Sequence, residues 1–162
     1  MEKNLHKAMN EQIRNELYSA YLYLSMAAYC ESKNLPGIAH WLKVQAKEEV
    51  SHAMKFFEFM VDVGAEIKLL AIDQPPADFS SVTDIFEKTL EHEKKVTAMI
   101  NNLVNLAQKA GDHPSMVMLQ WFVNEQVEEE KNASQILETL KMIKEQGPAI
   151  VMLDRELGKR EG

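Results

Sequence analysis

Residues Leu5 to Cys30 read LHKAMNEQIRNELYSAYLYLSMAAYC. Leu5, Met9, Ile13, Leu17, Ala20, Leu24 and Ala28 recur three or four positions apart with no proline or glycine among them, which predicts one long amphipathic helix. Glu16 falls inside this series, between Ile13 and Ala20. A lone acid on a helix is most often a solvated group, so Glu16 gains meaning only if other helices present similar residues at the same level.

The sequence on either side repeats the pattern. Asn34-Leu35-Pro36-Gly37 breaks the first helix, and Ile38, Leu42, Ala46, Ala53, Phe56 and Phe57 carry a second to Val63, where Gly64 stops it. Residues 65–81 contain Pro75-Pro76 and lack helical periodicity, as a long crossover would. Ser81 or Thr83 can cap a third helix running through Phe86, Leu90, Met99, Leu103 and Leu106 to Gly111. Beyond Asp112-His113-Pro114, a fourth takes Leu119, Phe122, Val127, Ile136 and Leu140 to Gly147. Pro148 then opens a short fifth segment whose stripe of Ile150, Met152, Leu153 and Leu157 suits docking on the bundle or on a neighbouring subunit. The expectation is an all-α protein. One domain over residues 1–162 holds a four-helix bundle at about 4–146, a long crossover between helices two and three, and a short C-terminal helix at about 148–160.

Composition agrees. The chain has 162 residues, 46% of them hydrophobic, with few glycines and prolines, enough for a full core in one domain. Its ten methionines read as flexible core filler. A formal charge of −7 removes the basic footprint that nucleic acid or anionic lipid requires and favours cationic partners, metal ions included. The single cysteine, Cys30, cannot staple the fold. Met1 to Met9 carries neither an apolar signal core nor a membrane-length run, so a reducing cytoplasm is the expected location.

The chemistry lies in polar residues on core-facing lines. Glu49 and His52, three apart, share one face of the second helix. Glu93 lies near the line of Leu90, Val96 and Ile100, and Gln126 and Glu129 follow Phe122 on adjacent turns. At 1.5 Å per residue, Glu16 lies about 24 Å from its end of the first hairpin, with Glu49 and His52 about 17 to 21 Å into the second helix. In the second hairpin Glu93 lies about 25 Å before Gly111, and Gln126 and Glu129 about 18 to 22 Å past Pro114. All four helices therefore bring polar groups to one level. Glu48-Glu49-Val50-Ser51-His52 on helix two also echoes Glu125-Gln126-Val127-Glu128-Glu129 on helix four, as two pseudo-equivalent halves would.

Several ionised carboxylates cannot share a low-dielectric interior unless a cation neutralises them. Oxygen donors with one imidazole suit Fe, Mn or Zn, and a bridging carboxylate can hold two such ions together. Tyr23, two turns beyond Glu16, reads equally as a hydrogen-bonded core tyrosine and as a redox group beside the site. Trp41, Trp121, Tyr18 and Phe122 read as core packing. His6, His40, His92 and His113 read as surface or outer groups.

Asn15-Glu16-Leu17-Tyr18-Ser19-Ala20-Tyr21-Leu22-Tyr23-Leu24, Glu48-Glu49-x-x-His52 and Asn124-Glu125-Gln126-Val127-Glu128-Glu129-Glu130 together resemble the prokaryotic non-haem ferritins, over essentially the whole chain. The resemblance implies an enzyme, a ferroxidase that oxidises Fe(II) with O2 or hydrogen peroxide at a di-iron centre. The ferric product would be stored in a hollow homo-oligomeric cage, in that family of 24 subunits. By the same resemblance Glu16, Glu49 and His52 hold one iron, and Glu49 bridges to a second held by Glu93 and Glu129 with Gln126 alongside. A third, weaker iron site would use Glu48, Glu125, Glu128 and Glu129. Bacterioferritin differs: it repeats Glu-x-x-His on helix four, where this chain has Gln126-x-x-Glu129, and it has a haem-ligating methionine where this chain has Val50. No haem is expected.

Three other readings compete, the blandest being a purely structural helical protein, which would leave the inward carboxylates as unexplained charge burial. A rubrerythrin-like di-iron peroxidase needs a Cys-x-x-Cys iron site that one cysteine cannot build. A miniature DNA-protecting ferritin lacks the fifth-helix tail and the complete intra-bundle site, and the acidic balance argues against DNA. The expected partners are therefore Fe(II), an oxidant and further copies of the chain, with neither nucleic acid nor membrane.

Overall fold

The computed structural model describes residues 1–162. Five helices follow in order: α1 (Lys3–Ser32), α2 (Pro36–Asp62), α3 (Val82–Ala110), α4 (His113–Ile143) and the short α5 (Gly147–Leu157). α1 pairs with α2 and α3 with α4, α1 also meets α3, and α5 lies on α2 and α4. Two antiparallel hairpins joined by a long crossover make the four-helix bundle expected above. No helix is long and apolar enough to cross a membrane.

The starts of α1 to α4 each have a side chain that accepts from their free amides. Glu2 accepts from the Asn4 and Leu5 amides, and Asp112 from the Ser115 amide. At α3, Ser81 Oγ accepts from Asp84 N while Asp84 Oδ2 accepts from Ser80 N, and the Glu145 carboxylate takes the Val82 and Thr83 amides. Lys144 and Glu145 adopt left-handed conformations, both at φ 52°, to bring that carboxylate back to the helix start. α2 begins with Pro36 and has no cap of its own; Asp154 on α5 supplies one, accepting from Ile38 N at 2.8 Å. That contact needs Gly37, because a Cβ there would sit 1.8 Å from the Asp154 carbonyl oxygen.

The crossover is pinned along α1. Asn10 accepts from the Lys68 amide and donates to the Glu66 carbonyl, which His6 also engages, and Ser25 donates to the Pro76 carbonyl.

Buried apolar residues form two clusters. One joins Ala20 to Cys30 of α1 with the first half of α2, the start of α3 and Ile136 to Leu140 of α4. The other joins Leu5, Met9 and Ile13 with Phe56, Met60, the second half of α3, Leu119 and Phe122. Between them lies a polar belt at mid-height.

Several residues read as core from the sequence are not. Leu24 and Ala28 are exposed. A series in steps of three or four drifts around the helix, and by these positions it has rotated about 100° to 140° from Leu5. Leu22, Tyr23, Met26 and Ala27 take the interior instead. Val127 is 68% exposed, since the neighbouring Gln126 holds the inward position. Trp121 lies half out of the bundle beneath the Lys55 ammonium, 4.3 Å from the ring centroid. The methionines divide: Met9, Met26 and Met60 are core, whereas Met142 and Met152 are exposed. On α5, Ile150, Leu153 and Leu157 pack on the first cluster while Met152 points out.

Candidate metal centre

Glu16, Glu49, His52, Glu93, Gln126 and Glu129 meet in the belt, each 6% exposed or less. One ligand atom from each of Glu16, Glu49 and His52 lies within 4.8 Å of the others, and the same holds for Glu49, Glu93 and Glu129. Glu49 belongs to both groups. His52 Nδ1 is 3.2 Å from Glu49 Oε2 and 3.9 Å from Glu16 Oε2.

Outer groups hold the carboxylates in place. Gln12 Nε2 donates to Glu16 Oε1 at 3.0 Å, leaving Glu16 Oε2 buried with no hydrogen-bond partner. Gln45 Nε2 donates to Glu49 Oε1 at 3.0 Å and to Glu129 Oε2 at 2.7 Å, linking α2 to α4. Tyr23 donates its phenol O–H to Glu93 Oε1. Gln126 Nε2 donates to Glu93 Oε2, to the Glu93 carbonyl and to Thr97 Oγ1, so its amide N–H end faces Glu93. Thr97 in turn donates to Glu130. His92 shares a hydrogen bond with Ser19 and stands edge-on to Tyr23, and burial pushes its pKa down to about 4.

The electrostatics are those of crowded acids in a dry interior. Burial raises the Glu16 and Glu49 carboxyls well above the usual range, reinforced by their acidic neighbours. Burial also raises Glu93 and pushes Glu129 up to about 9, helped by Glu93 and Glu48. A divalent cation removes this cost, and the orphaned Glu16 oxygen supplies a free donor. The donor set therefore fits hard-to-borderline metal ions.

Of the four acids read as a third site, Glu125 and Glu129 form a ligand-competent group with His52, Glu125 Oε1 lying 4.0 Å from His52 Nε2. Glu48 Oε2 is instead paired with Arg160 Nη2 at 3.0 Å, and Glu128 is exposed outside the group. Gln12, Gln45 and Arg160 went unread in the sequence. The two glutamines each stand four residues before a belt glutamate, a repeated Gln-x-x-x-Glu that marks both hairpin helices. Nothing near Arg160 announces its contacts, which reach back more than a hundred residues.

A helical bundle with a buried belt of acids and one imidazole defines a class of metal-binding proteins. A family model described as the ferritin-like domain matches residues 6–143. A probable bacterial non-heme ferritin-like protein of Haemophilus influenzae is 37% identical over 158 residues, covering 98% of this chain and 96% of the relative. A bacterial non-heme ferritin of Staphylococcus aureus is 36% identical over 160 residues, covering 99% and 96%. Among solved structures, an open pore ferritin from the hyperthermophilic archaeon Archaeoglobus fulgidus superposes with a TM-score of 0.98 at 44% identity, over 99% of each chain. The chain belongs to the ferritin family.

Proposed function

We propose that the protein stores and detoxifies iron as a ferroxidase. The observation that carries this is Glu49, a buried carboxylate common to two ligand-competent groups. Glu16 and His52 complete one Fe(II) site, and Glu93 and Glu129 the other. Glu49 bridges them. Each Fe(II) gives up one electron, and O2 or hydrogen peroxide accepts the pair. Gln12, Gln45, Tyr23 and Gln126 hold the carboxylates at their stations, so little reorganisation accompanies binding. The raised carboxyls release protons as metal enters, which keeps the loaded interior near neutral.

Ferric product then leaves for the hollow of a homo-oligomeric cage. The resemblance in fold and length to known ferritins supports this assembly, with 24 subunits as its expected size. A third, looser iron site beside the pair would draw on Glu125 and Glu129, with Glu48 and Glu128 approaching from the exposed side. We assign the protein to the cytoplasm, where its buried free Cys30, with a thiol pKa raised to about 12 by burial, stays reduced and unreactive.

Glu49→Ala and His52→Ala test the reading. Each should abolish rapid Fe(II) oxidation in stopped-flow absorbance while helix content and particle size stay unchanged. Wild-type rates in either variant would remove the ferroxidase assignment.

A further inference from the structure

The segment after α5 runs back across α2. Its path is set first by the Asp154 cap on Ile38 N and by the close approach at Gly37. Arg160 then engages successive turns of α2. Its carbonyl oxygen meets His40 Nε2 at 2.7 Å, Nη1 donates to the Trp41 carbonyl at 3.1 Å, and the guanidinium lies 4.3 Å over the Trp41 ring. Nη2 donates to Gln45 Oε1 at 3.0 Å and pairs with Glu48 Oε2 at 3.0 Å. An arginine held at this many points is ordered by the fold.

We propose that Arg160 is a positioning residue of the metal centre, acting through Gln45; this rests on the di-iron reading above. A guanidinium only donates, so the Gln45 atom facing it must be the amide oxygen. The amide nitrogen is thereby turned inward, onto Glu49 Oε1 and Glu129 Oε2. Reversing the amide would set an N–H against Arg160 and an oxygen against two carboxylates. Gln45 is 2% exposed, so no water competes to reorient it. Arg160 thus selects the amide orientation that fixes the bridging carboxylate of α2 relative to the terminal carboxylate of α4. The same guanidinium also pairs with Glu48 on the next turn of α2.

Co(II) is a suitable probe, because it reports binding and coordination by its visible absorption without oxidation. Arg160→Met keeps an apolar stem over Trp41 and removes every donor. It should weaken Co(II) binding about tenfold, as loss of an outer-shell partner does, and shift the visible bands. Arg160→Lys should recover most of that loss. Gln45→Leu should reproduce it, and adding Arg160→Met to Gln45→Leu should change nothing further, since the two act in series. Wild-type affinity in Arg160→Met would overturn the proposal, as would additive losses in the double variant, which would mean that Arg160 acts through Glu48 or through the fold. Glu49→Ala separates this failure from failure of the di-iron reading. If Glu49→Ala binds Co(II) as the wild type does, the metal centre itself is misassigned. If Glu49→Ala loses binding while Arg160→Met does not, only the positioning role is refuted. Should Arg160→Met fail to assemble, the Arg160→Lys and Gln45→Leu affinities decide: wild-type binding in Gln45→Leu overturns the proposal.

Discussion

Tyr23 on α1 donates its phenol O–H to the Glu93 carboxylate on α3, and both groups are buried beyond the reach of bulk water. Burial and the surrounding acids raise the phenol pKa further, so it stays protonated and remains a donor. The sequence left two roles open for Tyr23; the hydrogen bond accounts for a holding role directly.

Tyr23→Phe keeps the ring and removes the donor. Gln126 still holds the other Glu93 oxygen, so Glu93 should be loosened rather than released. The first-turnover Fe(II) oxidation rate should fall about tenfold, with an unchanged particle, the scale found when outer-shell partners are lost. An unchanged rate would show that the phenol does not tune Glu93.

The crowded acids make the stability of the metal-free protein depend on pH. Glu129 moves from an ordinary value of 4.5 to about 9 on folding, and Glu16 and Glu49 are raised as well. Above the lower value the unfolded chain has released protons that the folded chain still holds. Stability is therefore fully present below pH 4.5 and is lost as the pH rises towards about 9. Calorimetry of the metal-free protein should show Tm falling across this window. Glu129→Gln should flatten the slope and raise Tm at the alkaline end by a few °C, about 1 kcal/mol or more of relieved strain. A Tm that climbs with pH would contradict the assigned shifts.

α5 should be sensitive at its docking point. Gly37→Ala places a methyl against the Asp154 backbone and should undock the helix, whereas Asp154→Ala removes only the borrowed cap of α2 and should cost about 1 kcal/mol. Thermal melts and light scattering of the assembled particle would read both. Equal stability of Gly37→Ala and wild type would mean that α5 is not held where it lies.

The auxiliary acids should separate by variant. Glu128 is exposed and outside the His52–Glu125–Glu129 group, so Glu128→Ala should leave the first rapid turnover intact in stopped-flow runs with successive Fe(II) additions. Glu125→Ala should lower the occupancy of a third metal more than Glu128→Ala does. Loss of the first burst in Glu128→Ala would erase the division between a catalytic pair and an auxiliary site.

The bundle was legible because its signals are local. Helical spacing, Pro36-Gly37, Gly111 and the residues 65–81 crossover each act within a few positions, and the common depth of Glu16, Glu49, Glu93 and Glu129 follows from helix rise alone. Rotation was harder to read. A fixed step of three or four cannot keep Leu24 and Ala28 on one face over nearly thirty residues, and Val127 competes with Gln126 for the inward direction. Groups joined only by the fold, such as Arg160 with Gln45 or Glu145 with Thr83, leave no periodic trace.

The most direct test of the di-iron centre is anomalous diffraction at the iron edge from crystals loaded anaerobically with Fe(II). Two peaks should flank the Glu49 carboxylate, about 3.5 to 4 Å apart, one against Glu16 and His52 and the other against Glu93 and Glu129. A single peak in the belt, or iron only on the exposed acids of α4, would contradict the account.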